Sequence, residues 1–317
     1  MTFDVEELTA RAETLKQKAI DTYVAMAMRG GGREAAYNAS TYQRAAEDTF
    51  ADVSSIYDDF LGSPAPEDFV WATDNLEAAM SKLATAGYTE DPVGEGNAMG
   101  SANTDLTGVV TSGDYMADWT GDAASTYKTN FADKFIPVSS NQFVLTSVVR
   151  NAINAEAAIW QTVRDDLDRL SQDAINKMEE CLDKSPSDWS AAITVAAAVV
   201  SVVAVPLTGG SSLALGFAAV GAGLGVAATG MGGEGGEEEQ LGLEAGSPPA
   251  IIDSLTTALG KISTHITEHE NLIHEQMNST ASEINGGWDR LCLPRPAMAD
   301  ADSHRYDDPR YTGQSNA

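Results

Sequence analysis

The sequence predicts an all-α protein: a long antiparallel helical hairpin or bundle with a Trp-x-Gly turn and an apolar helical hairpin inserted. Three observations carry this. From Val148 to Leu182, apolar residues recur at steps of three and four without a break. From Ile252 to Ile284, a second stripe repeats close to a heptad. No stretch of useful length alternates apolar and polar residues with the two-residue period of a strand.

Taken in order, residues 4–28 read as a helix, with Val5, Leu8, Leu15, Ala19 and Tyr23 near helical spacing and a stop at Gly30-Gly31-Gly32. A second helix is expected from Arg33 to Leu61, closed by Gly62-Ser-Pro. A third starts near Pro66 and runs to Gly87; Glu67 and Asp68 in its first turn suit the positive end of the helix dipole. Residues 88–103 hold Pro92, Gly94, Gly96 and Gly100 and read as a loop. A short helix from Thr104 to Asp118 precedes Trp119-Thr120-Gly121, and the long stripe follows, with Pro137 expected to kink or interrupt the segment before it. The stripe comprises Val148, Ala152, Ala155, Ile159, Val163, Leu167, Leu170, Ala174, Met178 and Leu182.

From Trp189 to Gly233 there is neither a charged residue nor a histidine. Two apolar runs lie inside, Ala191 to Val205 and Leu213 to Ala228, separated by a Pro-Leu-Thr-Gly-Gly-Ser-Ser turn. Residues 234–249 are an acidic, Gly-rich linker. A helix from Ala250 to Asn285 carries Ile252, Leu255, Leu259, Ile262, Ile266, Ile273, Met277 and Ile284, with His269 in one seam position. The expected organisation is therefore 1–87 N-terminal helices, 88–188 helical hairpin, 189–233 apolar hairpin, 234–249 linker, 250–293 long C-terminal helix and 294–317 a polar, disordered tail.

Composition narrows the function. The 317 residues allow one large or two modest domains. Lys and Arg number 19 against 47 Asp and Glu, a net charge of −28. Such a surface repels phosphate backbones, so no nucleic-acid partner is expected. It also repels anionic headgroups, so any membrane contact must come from apolar burial. Two cysteines exclude a disulfide framework and a Cys-rich zinc site. If the two long helices are antiparallel, Cys181 and Cys292 lie some 60 Å apart, about 40 residues at 1.5 Å each, and no bridge is expected. The N-terminus has no basic region and no early apolar run, so it does not read as a Sec-type signal peptide.

The strongest motif is Trp119-Thr120-Gly121-Asp122-Ala123-Ala124. Gly121 lets the chain reverse, through a positive φ or a close backbone approach. Asp122 stands where a carboxylate accepts from free N–H groups at a helix start. Trp119 is expected to lay its ring across the seam between two helices and cover it. This segment resembles the Trp-x-Gly turn of the WXG family, small helical hairpins exported by type VII (ESX) secretion systems, in the extended form of actinobacterial ESX substrates and the larger helical proteins exported with them. The resemblance covers about residues 75–185. It implies a non-enzymatic, secreted protein that leaves without a Sec peptide. It also implies a helical partner of the WXG type, or the secretion machinery itself, as the binding partner. Members of this class often carry, on one partner, a Tyr followed four residues later by Asp or Glu. None of the nine tyrosines here does. The signal is then degenerate, or supplied by a partner, or export is not the role.

The apolar pair admits three readings. Each run is roughly 24 Å long as a helix, short for a hydrocarbon layer of about 30 Å. Its Ala and Gly permit close helix contact in lipid, with Ala191, Val199, Val205, Leu215, Phe217 and Val226 as the inserting face. On layout alone this is similar to the head of α-helical pore-forming toxins. The other two readings are a buried core element and a loosely packed linker.

Candidates for chemistry are weaker. His265-Ile-Thr-Glu268-His269 matches an inverted zinc-peptidase pattern, His265 and His269 being the ligands and Glu268 the base. The pattern lacks a convincing downstream acidic ligand, and the pair sits on a seam-forming helix. The Gly-rich runs lack the context of phosphate loops, and adjacent acids such as Asp165-Asp166 diverge around a helix. No catalytic residue, cofactor or metal is therefore assigned, and the chain is not expected to be an enzyme. The stripes also allow a homo-oligomer. The plain alternative is an intracellular, cytoplasmic helical scaffold or phage-related component.

Overall fold

The computed structural model describes residues 5–30, 38–85, 102–115, 118–183, 192–195, 199–206, 214–221, 239–242 and 247–293. The chain is predominantly helical. Its α-helices are α1 (Val5–Gly30), α2 (Ala39–Thr49), α3 (Val70–Leu83), α4 (Thr104–Tyr115), α5 (Asp122–Tyr127), α6 (Asp133–Asp183) and α7 (Pro248–Gly286). Short strands β1 (Ala192–Val195), β2 (Val199–Pro206), β3 (Ala214–Gly221) and β4 (Glu239–Gly242) lie between α6 and α7. Two compact units result. The first comprises Met1–Asp68, Ala157–Val199 and Ala222–Glu270, and the second Phe69–Glu156, Val200–Gly221 and Asn271–Ala317.

In the first unit, α1 buries Leu8, Ala12, Leu15, Ala19 and Ile20, the spacing of one helix face. It lies parallel to the second half of α6: Arg11 pairs with Asp168, and Thr22 Oγ1 donates to the Met178 carbonyl at 3.3 Å. The α6 stripe is buried from Ile159 through Val163, Leu167, Leu170, Ala174 and Met178 to Cys181. On α7 the buried positions are Ile251, Leu255, Ala258, Leu259, Ile262 and Ile266. The seam thus begins at Ile251, not Ile252, which is half-buried. Each large side chain so buried contributes about 1.5–3 kcal/mol. An exposed pair such as Lys18–Glu179 adds about 0–1 kcal/mol, so burial decides this unit's stability.

The helix expected from Arg33 to Leu61 is broken. After α2 the chain continues as 3₁₀ turns at Ala51–Ser55 and Asp58–Phe60. The cause is local: the Ser54 and Ser55 hydroxyls bond back to the carbonyls of Ala51 and Asp52, offering the backbone an alternative to the α ladder. The turns still aim Phe50, Val53, Tyr57 and Phe60 into the core. Tyr57 Oη lies 2.7 Å from Ser171 Oγ, which is 2.6 Å from the Leu167 carbonyl. A carbonyl only accepts, so Ser171 donates to it and the phenol donates to Ser171. Burial pushes the Tyr57 phenol up to about 12, against smaller lowering effects from Ser171 and Arg11.

In the second unit, α3 runs antiparallel to the first half of α6. Thr73 meets Asn154, Arg150 pairs with Glu77, and Ser139 Oγ donates to the Leu83 carbonyl at 3.1 Å. Met80, Ala84 and Phe143 form a small core with Leu83 against it. The α3 helix ends at Leu83, short of Gly87, because Asn103 Nδ2 takes the Lys82 carbonyl at 2.8 Å and Asn103 N–H the Ala84 carbonyl at 2.9 Å. The same Asn103 caps α4 by accepting from Asp105 N–H at 3.0 Å. Asn141 and Gln142 donate to the carbonyls of Arg290 and Leu291 at 3.0 and 2.6 Å, just past the end of α7. Pro137 sits inside the first turns of α6, and the segment before it is interrupted by a π turn at Lys128–Ala132.

The apolar region departs from expectation. Its described residues are strands, not a helical pair: β1 pairs antiparallel with β4, Ile193 opposite Leu241, and β2 pairs with β3. An apolar run without periodicity does not distinguish helix from strand, and the Val, Ile and Thr of β1 and β2 favour extended backbone. Within the segment expected as a linker, Glu239–Gly242 is β4. The 294–317 tail and most of the 88–101 loop lie outside the described residues. Among the described residues no helix is long and apolar enough to cross a membrane.

Candidate partner-binding site at the Trp-Thr-Gly turn

The turn links α4 to α5. Residues of α4 lie against Lys128–Ala132. Gly121 has φ 105° and ψ 173°, and among the described residues it alone has a positive φ. A Cβ built there meets nothing within 4 Å, so the glycine serves backbone conformation and not a close approach. Its carbonyl accepts the first helical bond, from Ser125 N–H at 3.0 Å.

Asp122 is the first residue of α5, where its carboxylate suits the positive end of the helix dipole. One expectation fails here. Trp119 does not seal a helix seam: it is 59% exposed. An indole in solvent is a surface feature, available to another molecule rather than to this fold.

Sequence reasoning missed the element next to it. Tyr127, Phe131 and Phe135, at successive four-residue steps, form a ladder with ring centroids 5.2 and 5.9 Å apart. All three are half-buried. The i, i+4, i+8 aromatic spacing was visible in the sequence. Five residues of the π turn fall inside this ladder.

Of the residues expected to insert into lipid, Val199 and Val205 fall in β2 and Leu215 and Phe217 in its partner β3, while Ala191 and Val226 lie outside the described residues. His265 and His269 do come together on α7, with ring centroids 6.4 Å apart and planes 28° from parallel. Among the described residues no group of three His, Cys, Asp or Glu is placed to hold a metal ion, so the zinc-peptidase arrangement is not assembled there. Cys181 and Cys292 are both free. Burial, then the neighbouring Glu180, pushes the Cys181 thiol up to about 11, too high for a nucleophile at neutral pH.

The chain matches no protein-family model, no curated protein and no solved structure.

Proposed function

We propose that this chain is a non-enzymatic WXG-like protein, exported by or working with a type VII (ESX) secretion system, that acts through helix–helix contacts with a partner. The observation that carries the reading is the pairing of motif and exposure. Trp119-Thr120-Gly121-Asp122-Ala123-Ala124 leads into α5 through Gly121, whose φ is positive, and its indole is exposed. An exposed Trp has the composition of an interface anchor. The partner is a helical protein of the WXG type. It also supplies the export signal, since no Tyr here is followed four residues later by an acid. The protein then acts outside the cell.

Deleting residues 118–122 in the native host tests this. Loss of the protein from the culture medium, with the cytosolic pool retained, supports it. Undiminished export, or a protein found only in the cytosol in both forms, contradicts it and favours the intracellular scaffold.

The uncharged stretch from Trp189 to Gly233 favours a second reading, a membrane-inserting α-helical, pore-forming-like protein in which this segment enters a bilayer as helices after export. Dye release from liposomes by the full chain, lost when residues 189–233 are removed, is the expected result; no release from any liposome contradicts it.

A further inference from the structure

We propose that His265 and His269 form a transition-metal site on α7 that takes Cu(II), with the two imidazoles as protein ligands and water in the remaining positions. Residues four apart on a helix share a face, and here the two rings already stack side by side, 6.4 Å between centroids. A modest swing of His265, whose side chain is 34% exposed, brings both rings onto one ion.

The surroundings select which nitrogen binds. Glu268 Oε2 is 3.5 Å from His265 Nδ1. A carboxylate on that side favours the proton on Nδ1 and leaves Nε2 as the ligand atom, as carboxylates do beside metal-binding histidines. On His269 it is Nδ1 that is buried, and it finds no hydrogen-bond partner among the described residues. Nε2 is again the nitrogen left for a ligand.

The same geometry chooses the metal. A catalytic zinc site needs three protein ligands, and no third is placed here among the described residues. Cu(II) accepts a tetragonal field with two nitrogen and two water ligands, and it heads the affinity order of the divalent first-row ions. The net charge of −28 raises the local concentration of any cation. No catalysis is assigned to this site; a bound ion staples one turn of α7.

The test uses the full chain and Cu(II) alone, by titration calorimetry and electron paramagnetic resonance. The expected result is one ion per chain with the hyperfine signature of two imidazole nitrogens. His265→Gln or His269→Gln removes that signature, while His274→Gln leaves it. Glu268→Gln weakens binding by about 10–100-fold, the usual effect of losing a partner that orients a ligand. The wild-type spectrum counts nitrogens directly, so the result stands even for a variant that folds poorly. A spectrum with oxygen ligands only, a two-nitrogen signal surviving in both His variants, or no binding overturns the proposal.

Discussion

The two units differ in how completely they close. In the first, the faces of α1 and α7 and the second half of α6 bury Leu8, Leu15, Ile159, Leu167, Leu170, Leu255 and Ile262, and of its described large apolar side chains only Met28 is exposed. The second has a small core around Phe143 and leaves Val70, Trp71, Trp119, Leu272 and Trp288 in solvent. Its buried face also carries Ser139, Ser140, Asn141 and Ser147 in place of aliphatic residues. The difference teaches where each unit's energy lies. The first is stabilised by its own packing. The second leaves more of its large apolar side chains in water.

This contrast breaks most sharply under core truncation. Leu167→Ala, at a fully buried position of the first unit, should cost about 2–5 kcal/mol in urea unfolding. A cost under about 1 kcal/mol would mean the first unit is no tighter than the second.

Next in size is Gly121→Ala. A non-glycine residue held at positive φ costs about 1–2 kcal/mol. The loss should appear as a lower melting temperature of the second unit's helices by circular dichroism, with no clash to relieve. Unchanged stability would show that the backbone at the turn is not fixed as described.

Smaller still is Tyr57→Phe, which leaves Ser171 bonded to the Leu167 carbonyl and should cost about 1 kcal/mol at neutral pH. The sign with pH is definite. The folded phenol titrates above its unfolded value, so its neutral form stabilises the fold below the unfolded pKa of about 10. That contribution is lost as pH rises towards about 12. Alkaline unfolding profiles of wild type and Tyr57→Phe should therefore diverge at neutral pH and converge above that window.

The first unit was largely legible because its stripes recur at helical steps, and Val163, Leu167, Leu170, Ala174 and Met178 are buried as the pattern requires. The 3₁₀ breaks after Thr49 were not, since Ser54 and Ser55 act through backbone bonds that carry no apolar period. The buried polar run Ser139–Asn141 was equally hidden: Asn141 is there for the carbonyl of Arg290, a partner 149 positions away. Within the candidate site, the need for glycine at 121 was readable from a residue type that tolerates positive φ. The exposure of Trp119 was not, because an indole's apolar area argues for burial and the sequence does not show that no element of this fold covers it. The strands between α6 and α7 escaped because uncharged, aperiodic runs carry no register.

The proposal stands or falls on what Trp119 is for. Trp119→Ala, made in the native host and as purified protein, reads both sides at once. The expected result is a melting temperature within the range of an exposed substitution, about 0.5 kcal/mol or less, together with export reduced to the level of the 118–122 deletion. Export at the wild-type level, or a large loss of stability, would show that the exposed indole is not a partner's docking point.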